Sequence, residues 1–309
     1  MLIRLKTILL SAIFVMAVFS CSKHEPFSYK GAEIVVSAGV LTRAGYEGTV
    51  TLPDNFVMDI IQNAGVQYDY KTVLMEKDKG RNTYSAVADI KMMWAVNAYT
   101  GVDVKAMTLP YGMETVDAAN SMQIAVSENQ SSESEILKSD LLAATKKTSE
   151  ITVSEGNVKI NFSHKLSKLE INYAFGEGLK ASDVQIHTVA LENVCVKGGY
   201  SYSEMAFDSA IDKVLGAISM YHDSSKNLFE AIFFPYVPSS NPRLIVNATI
   251  LGQERVMTCP IVPKGTSGFV SGKRYTLNVT FTNNSVNVNS VGIESAWDDD
   301  TEDREFDTV

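Results

Sequence analysis

Three cysteines, four histidines and a scatter of carboxylates are the groups with chemistry to offer in this 309-residue chain. The histidines, His24, His164, His187 and His222, stand far apart, and no Cys/His spacing suits a metal. His164, two residues past Phe162 and just beyond a strand, reads as a packing or hydrogen-bonding side chain. Carboxylate pairs such as Asp54 with Asp59, or Glu133 with Glu135, sit in polar segments and read as solvated faces. A glycoside hydrolase needs two carboxylates facing across a cleft, an arrangement that linear sequence does not fix. No G-x-S-x-G elbow, P-loop or dinucleotide fingerprint is present. We therefore read the chain as a non-enzyme with no catalytic residues, no cofactor and no metal. Cys195 and Cys259 each lie in an apolar, strand-like stretch. Two buried inert thiols is one reading, and a bridge in an oxidising compartment is the other.

Cys21 is different. Arg4 and Lys6 form a short basic start, an apolar stretch of 13 residues runs from Thr7 to Phe19, and Ala17-Val18-Phe19-Ser20 leads into the cysteine. That is the three-part secretory signal, with a cysteine where cleavage falls. The run is short of the roughly 20 residues that a spanning helix needs. The pattern resembles a bacterial lipobox, in which the cysteine is acylated and becomes the mature N-terminus. Each buried acyl methylene is worth about 0.8 kcal/mol, so a two- or three-chain anchor (palmitate-like) holds to a bilayer stably. Ser22, rather than an aspartate, follows the cysteine, and in the lipoproteins this resembles that implies sorting to the outer membrane.

The elements behind these residues are mostly strands. Composition is that of a globular protein, 45% hydrophobic and 20% charged. Losing Arg4 and Lys6 with the leader takes the formal charge from −9 to −11, which argues against nucleic acid and anionic membrane surfaces as partners. Short runs of β-branched and aromatic residues recur along the chain, among them Ala32 to Val40, Val66 to Met75, Val102 to Leu109, Val158 to Phe162, Lys168 to Tyr173 and Tyr275 to Phe281. Leu244 to Leu251 pairs with Arg255 to Cys259 across Gly252-Gln253. Val184 to Val189 and Leu191 to Val196 read as two strands before a turn at Lys197-Gly198-Gly199, and Ser131 to Thr148 reads as a surface loop with a helical turn. Phe207, Ile211, Val214, Leu215 and Ile218 suit either an amphipathic helix or a strand pair. We expect a lipoprotein signal peptide over 1–20, a tether over 21–31, an N-terminal β-sandwich over 32–178, a C-terminal β-sandwich over 179–297 and an acidic tail over 298–309. The class is thus all-β, with two antiparallel β-sandwich domains in tandem.

Several segments together resemble the fimbrillin-like lipoproteins of Bacteroidetes, the family that includes major, tip and anchor subunits of type V pili. Lys138-Ser139-Asp140-Leu141-Leu142-Ala143 resembles that family's D-L-L-x-A segment. Val158 to Leu169 resembles its V-x-L-x-F-x-H-x-L-S-K-V strand pair, Arg274 to Val279 its late x-Y-T-L-x-V strand, and Thr42-Arg43-Ala44 the T-R-A after its first strand. Ile293 to Trp297 is similar to its closing I-x-x-W, with one extra residue.

The resemblance implies transthyretin-like Greek-key sandwiches and assembly by donor-strand complementation, in which a strand from one subunit fills a groove of unpaired backbone groups in the next. On this reading Ala32 to Val40 is the plug of the groove, Arg43 is the cut site and Ala44 the new N-terminus. Val286, Val288, Val291 and Ile293 mark the candidate donor strand. Partners are then other fimbrial subunits by strand exchange, and the outer membrane through lipid on Cys21. Two alternatives remain: an anchor subunit that keeps its lipid, or a monomeric surface lipoprotein that binds a host glycan or protein. The last would use an aromatic platform, for which Trp94, Tyr99 and Tyr111 are available.

Overall fold

The computed structural model describes residues 35–40, 54–63, 68–79, 83–86, 103–147, 157–261, 268–294 and 304–305. Strands dominate, as the alternating runs predict, with one short α-helix and one 3₁₀ turn among the described residues. The N-terminal strands are β1 (Val35–Val40), β2 (Asn55–Asn63), β3 (Tyr68–Lys77), β4 (Thr83–Ala86), β5 (Asp103–Met107), β7 (Leu142–Lys147) and β8 (Asn157–His164). They form one sheet in the order β1-β4-β3-β2-β5-β7-β8, and it curls until β1 also meets β8 and closes it. Phe56, Met58, Met75, Tyr84, Val104, Ala106, Ile160 and Phe162 are buried on these strands. Phe56 packs edge-on against Phe162 at 5.1 Å and tilted against Tyr84 at 4.8 Å.

The remaining strands build two six-stranded sheets. One holds β6 (Met122–Ala125), β10 (Val184–Ser201), β11 (Ala206–Asp208), β12 (Val214–Ser219), β15 (Arg243–Ile250) and β16 (Gln253–Pro260). The other holds β9 (Ser167–Phe175), β13 (Tyr221–Asp223), β14 (Leu228–Phe233), β17 (Arg274–Phe281), β18 (Val286–Glu294) and β19 (Arg304–Glu305). Leu169, Ile171, Phe229, Leu277 and Phe281 from one sheet share a buried core with Val189, Leu191, Val246 and Met257 from the other, which makes this pair a sandwich. The strand pairings are antiparallel except for β1 with β8 and β9 with β17. Sheet membership changes between His164 and Ser167, so β9 belongs with the sandwich.

Four local expectations need correction. Gly198 and Gly199 do not turn the chain; β10 runs through them as one 18-residue strand with bulges. A Cβ on Gly198 would stand 3.0 Å from the Phe234 ring, and one on Gly199 2.6 Å from the Asp208 carbonyl, so close packing selects glycine there. The segment after Ser131 is not only a loop: helix α1 (Glu133–Ser139), capped by Ser132, is followed directly by β7. The helix-or-strand choice over residues 207–218 resolves to β11 and β12. Asp59 is not on a solvated face: it sits in β2 and is 2% exposed.

Candidate functional site: the closing strand and the docked wall

β1 is the strand that closes the N-terminal sheet. It pairs with β8 without a break from Val35↔Asn157 to Val40↔Phe162, and with β4 at Val36↔Tyr84 and Ser37↔Thr83. This register sets Val36, Ala38 and Val40 opposite Val158, Ile160 and Phe162, and Ile160 and Phe162 are buried. Taking β1 away would leave β4 and β8 with facing rows of unpaired N–H and C=O groups, the template that another extended segment fills.

The opposite wall of the closed sheet is fixed. Leu74, Val57, Met107 and Ala143 form one register row across β3, β2, β5 and β7. Val57, Met107 and Ala143 are buried in the same cluster as the sandwich core, and Leu74 packs against it. Beside this apolar row lies a polar one. The Tyr202 hydroxyl, just past β10, lies 3.0 Å from Asp59 Oδ1 and 3.0 Å from the Lys105 carbonyl. Thr72 donates to the same Asp59 oxygen at 2.9 Å, and Lys105 Nζ donates to the Ser203 carbonyl. Tyr202 is 1% exposed, so this is a buried hydrogen-bonded network in which every polar group shown has a partner. The tip of the β10–β11 hairpin thus docks on β2, β3 and β5, on the side away from β1.

The sequence segments singled out for their resemblance converge where the chain crosses from the closed sheet to the sandwich. Asp140, the C-cap of α1, places Oδ2 2.7 Å from His164 Nδ1. Lys165 N–H donates to the Leu141 carbonyl and Gly272 N–H to the Leu166 carbonyl, both at 2.9 Å, while Ser167 Oγ donates to the Val270 carbonyl at 2.8 Å. Lys168, 8% exposed, lies 2.8 Å from Glu170 and 2.5 Å from Glu230, with Arg274 3.9 Å from Glu170. Burial works against the ammonium charge, but the two carboxylates override it and hold Lys168 above its ordinary value. A lysine held this firmly charged is a structural cation and not a nucleophile. Nearby, buried Gln130 donates to the Ile232 carbonyl at 2.7 Å and accepts from its N–H at 2.8 Å, so a side-chain amide stands in for a neighbouring strand.

The other residues weighed from sequence are dispersed. Cys195 and Cys259 are both free and buried, and burial pushes the Cys195 thiol up to about 11 and the Cys259 thiol upward too. His187 lies 2.7 Å from Thr249, and His222 lies 2.9 Å from the Tyr173 hydroxyl, where burial lowers its affinity for a proton. Glu133 and Glu135 stand in the first turn of α1, and Glu135 pairs with Lys138 at 2.7 Å. Tyr111 is half-buried. Cys21, His24, Arg43, Ala44, Trp94 and Tyr99 lie outside the described residues. Among the described residues no three His, Cys, Asp or Glu side chains are grouped to hold a metal ion, and no helix is long and apolar enough to cross a membrane. Asp59 and Tyr202 were missed as a pair because they lie 143 positions apart; the one signal was a lone aspartate inside an otherwise apolar run from Phe56 to Ile61.

A closed sheet plugged by one strand and docked on a sandwich defines a class of two-part all-β surface subunit. The fimbrillin-like family profile matches residues 42–295, and the chain belongs to that family. Among solved structures, a candidate cell adhesion protein from Bacteroides uniformis is similar at 19% identity and a TM-score of 0.61, covering 87% of this chain and 99% of its own. A second candidate cell adhesion protein, from Bacteroides ovatus, is 13% identical with a TM-score of 0.58, covering 90% of this chain and 99% of its own. At these identities the likeness is one of fold. No curated protein matches the chain.

Proposed function

We propose that this protein is a structural subunit or accessory of a cell-surface fimbria, assembled by exchange of its first strand, and not an enzyme. The observation that carries the reading is the position of β1. It is a six-residue strand that alone joins β4 to β8, on the side of the closed sheet away from the docked wall. It can therefore leave without disturbing the Val57–Met107–Ala143 row or the Asp59–Tyr202 contact. In this reading the chain reaches the outer membrane with lipid on Cys21. A protease cuts after Arg43, and β1 departs with the lipid. The mature chain starts at Ala44, and a strand from another subunit completes the sheet.

The N-terminus and mass of the protein recovered from the cell surface test this. A chain starting at Ala44 is the expected result. A chain starting at acylated Cys21 would replace the reading with that of a lipid-retained anchor or a stand-alone binding lipoprotein. Arg43→Ala should stay full-length, lipid-bound and unassembled; normal fibres from that variant would sink the proposal.

A further inference from the structure

We infer that β18 is not exchanged between subunits: it is a permanent strand of its own sandwich, and the segment that takes β1's place comes from a different protein, with small or branched apolar residues at three successive alternate positions. The inference rests on the reading of β1 given above, and it changes the assignment of Val286, Val288, Val291 and Ile293 as a donor strand. Those residues do not keep one period. Val286 to Val288 and Val291 to Ile293 are steps of two, but Val288 to Val291 is a step of three. On a regular strand a step of three sends the following side chains to the other face.

β18 avoids that outcome only against β17. Pairing runs Phe281↔Val286 and Val279↔Val288, then jumps to Asn278↔Ser290 and Leu277↔Val291, so Asn289 is extra. This is a β-bulge, and the Asn289 amide donates to Thr280 beside it. The bulge restores the phase. Val286, Val288, Val291 and Ile293 all stand opposite core-facing residues, Phe281, Val279, Leu277 and Tyr275, each no more than 1% exposed. The far edge of β18 is also taken, by β19 at Gly292↔Glu305 and Ile293↔Arg304.

The place of β1 asks for something else. Its register with β8 is unbroken over all six residues, and it sets Val36, Ala38 and Val40 at successive alternate positions opposite the row of Ile160 and Phe162. Threaded there without a bulge, β18 offers Val286-Val288-Ser290 or Asn289-Val291-Ile293, so a polar side chain always falls on the apolar row. Burying it without a partner opposes binding. The occupant that fits is an extended segment with the Val-x-Ala-x-Val kind of alternation, and β18 does not have it.

Two disulfide locks in the full-length chain test this in the parent cells. Asn278→Cys with Ser290→Cys ties β18 to β17, and Ser37→Cys with Thr83→Cys ties β1 to β4; both are register pairs of antiparallel strands, within reach of a disulfide. Surface polymer is read by non-denaturing gel and electron microscopy, with and without reductant. The β18 lock should leave polymer yield unchanged, and the β1 lock should abolish it until reductant is added. Loss of polymer with the β18 lock, restored by reductant, overturns the inference and makes β18 a donor. If neither lock has an effect, β1 never leaves and the proposed assembly fails, while retention of β18 stands. Should the first β18 pair fail to fold, Thr280→Cys with Asn287→Cys locks the same strands at another register pair.

Discussion

β1 and β18 border the two halves of the molecule, and they are held in different ways. β1 bridges two neighbours in a sheet that is otherwise complete, over an unbroken register of six residues. β18 spans nine residues, carries a bulge and follows a core-facing strand along its whole length. A strand that fits by plain alternation can be replaced by any segment with the same alternation. A strand that fits through a bulge is matched to one partner. Replaceability in this fold is therefore a matter of phase, not of strand length or hydrophobicity.

The largest expected effects lie in the two cores. Phe162→Ala in the closed sheet and Phe281→Ala in the sandwich should each cost about 3–5 kcal/mol, since both rings are fully buried. Because the docked wall joins the two halves, both variants should lower a single calorimetric transition. A first transition that moves only with Phe162→Ala would separate the halves. Lys168→Met comes next. It leaves Glu170 and Glu230 facing each other at the crossover with Arg274 as the remaining nearby cation, and should cost on the order of 3 kcal/mol in denaturant unfolding. Tyr202→Phe removes one hydroxyl from the Asp59 network and should cost about 1–3 kcal/mol. A loss of single-transition behaviour in that variant would show that the contact is what holds the halves together.

The smallest effect is a pH slope. Burial lowers the affinity of His222 for a proton in the folded chain, with Asp223 partly opposing it. The unfolded chain then takes up the proton first as pH falls. The stability this contributes is present above the ordinary histidine value of about 6.5 and is lost as pH drops below it. His222→Phe should flatten the slope of stability between neutral and mildly acid pH, and an unchanged slope would assign it to other groups.

Much of the strand content was legible because one face of each strand is wet. β15, β16 and β17 alternate buried and exposed residues almost without fault, and their sequences alternate with them. β10 was read as two strands and a turn because glycine signals two things, a bend and a close approach, and only the packing of Phe234 and Asp208 decides between them. β7 was lost beside its helix because Leu142-Ala143-Ala144-Thr145 is apolar on both faces, one toward the closed sheet and one toward the sandwich core. The candidate donor residues were visible as apolar positions, but the bulge at Asn289 was not, because a bulge is a property of two strands and a sequence shows one. The Asp140–His164 contact could have been suspected, since both belong to segments singled out early, although nothing in either segment states that they meet.

β10 has a mechanical consequence. At roughly 3.3 Å per residue, its 18 residues reach on the order of 60 Å, from the pairing with β15 at one end to the docked tip at Tyr202 on the other. A pull between the closed sheet and the sandwich would run along this strand and load its hydrogen bonds side by side, in shear, so that many must break at once. The same number of bonds loaded from one end would open one at a time. In a filament attached to a cell in moving fluid, β10 would act as a tie rod through the subunit.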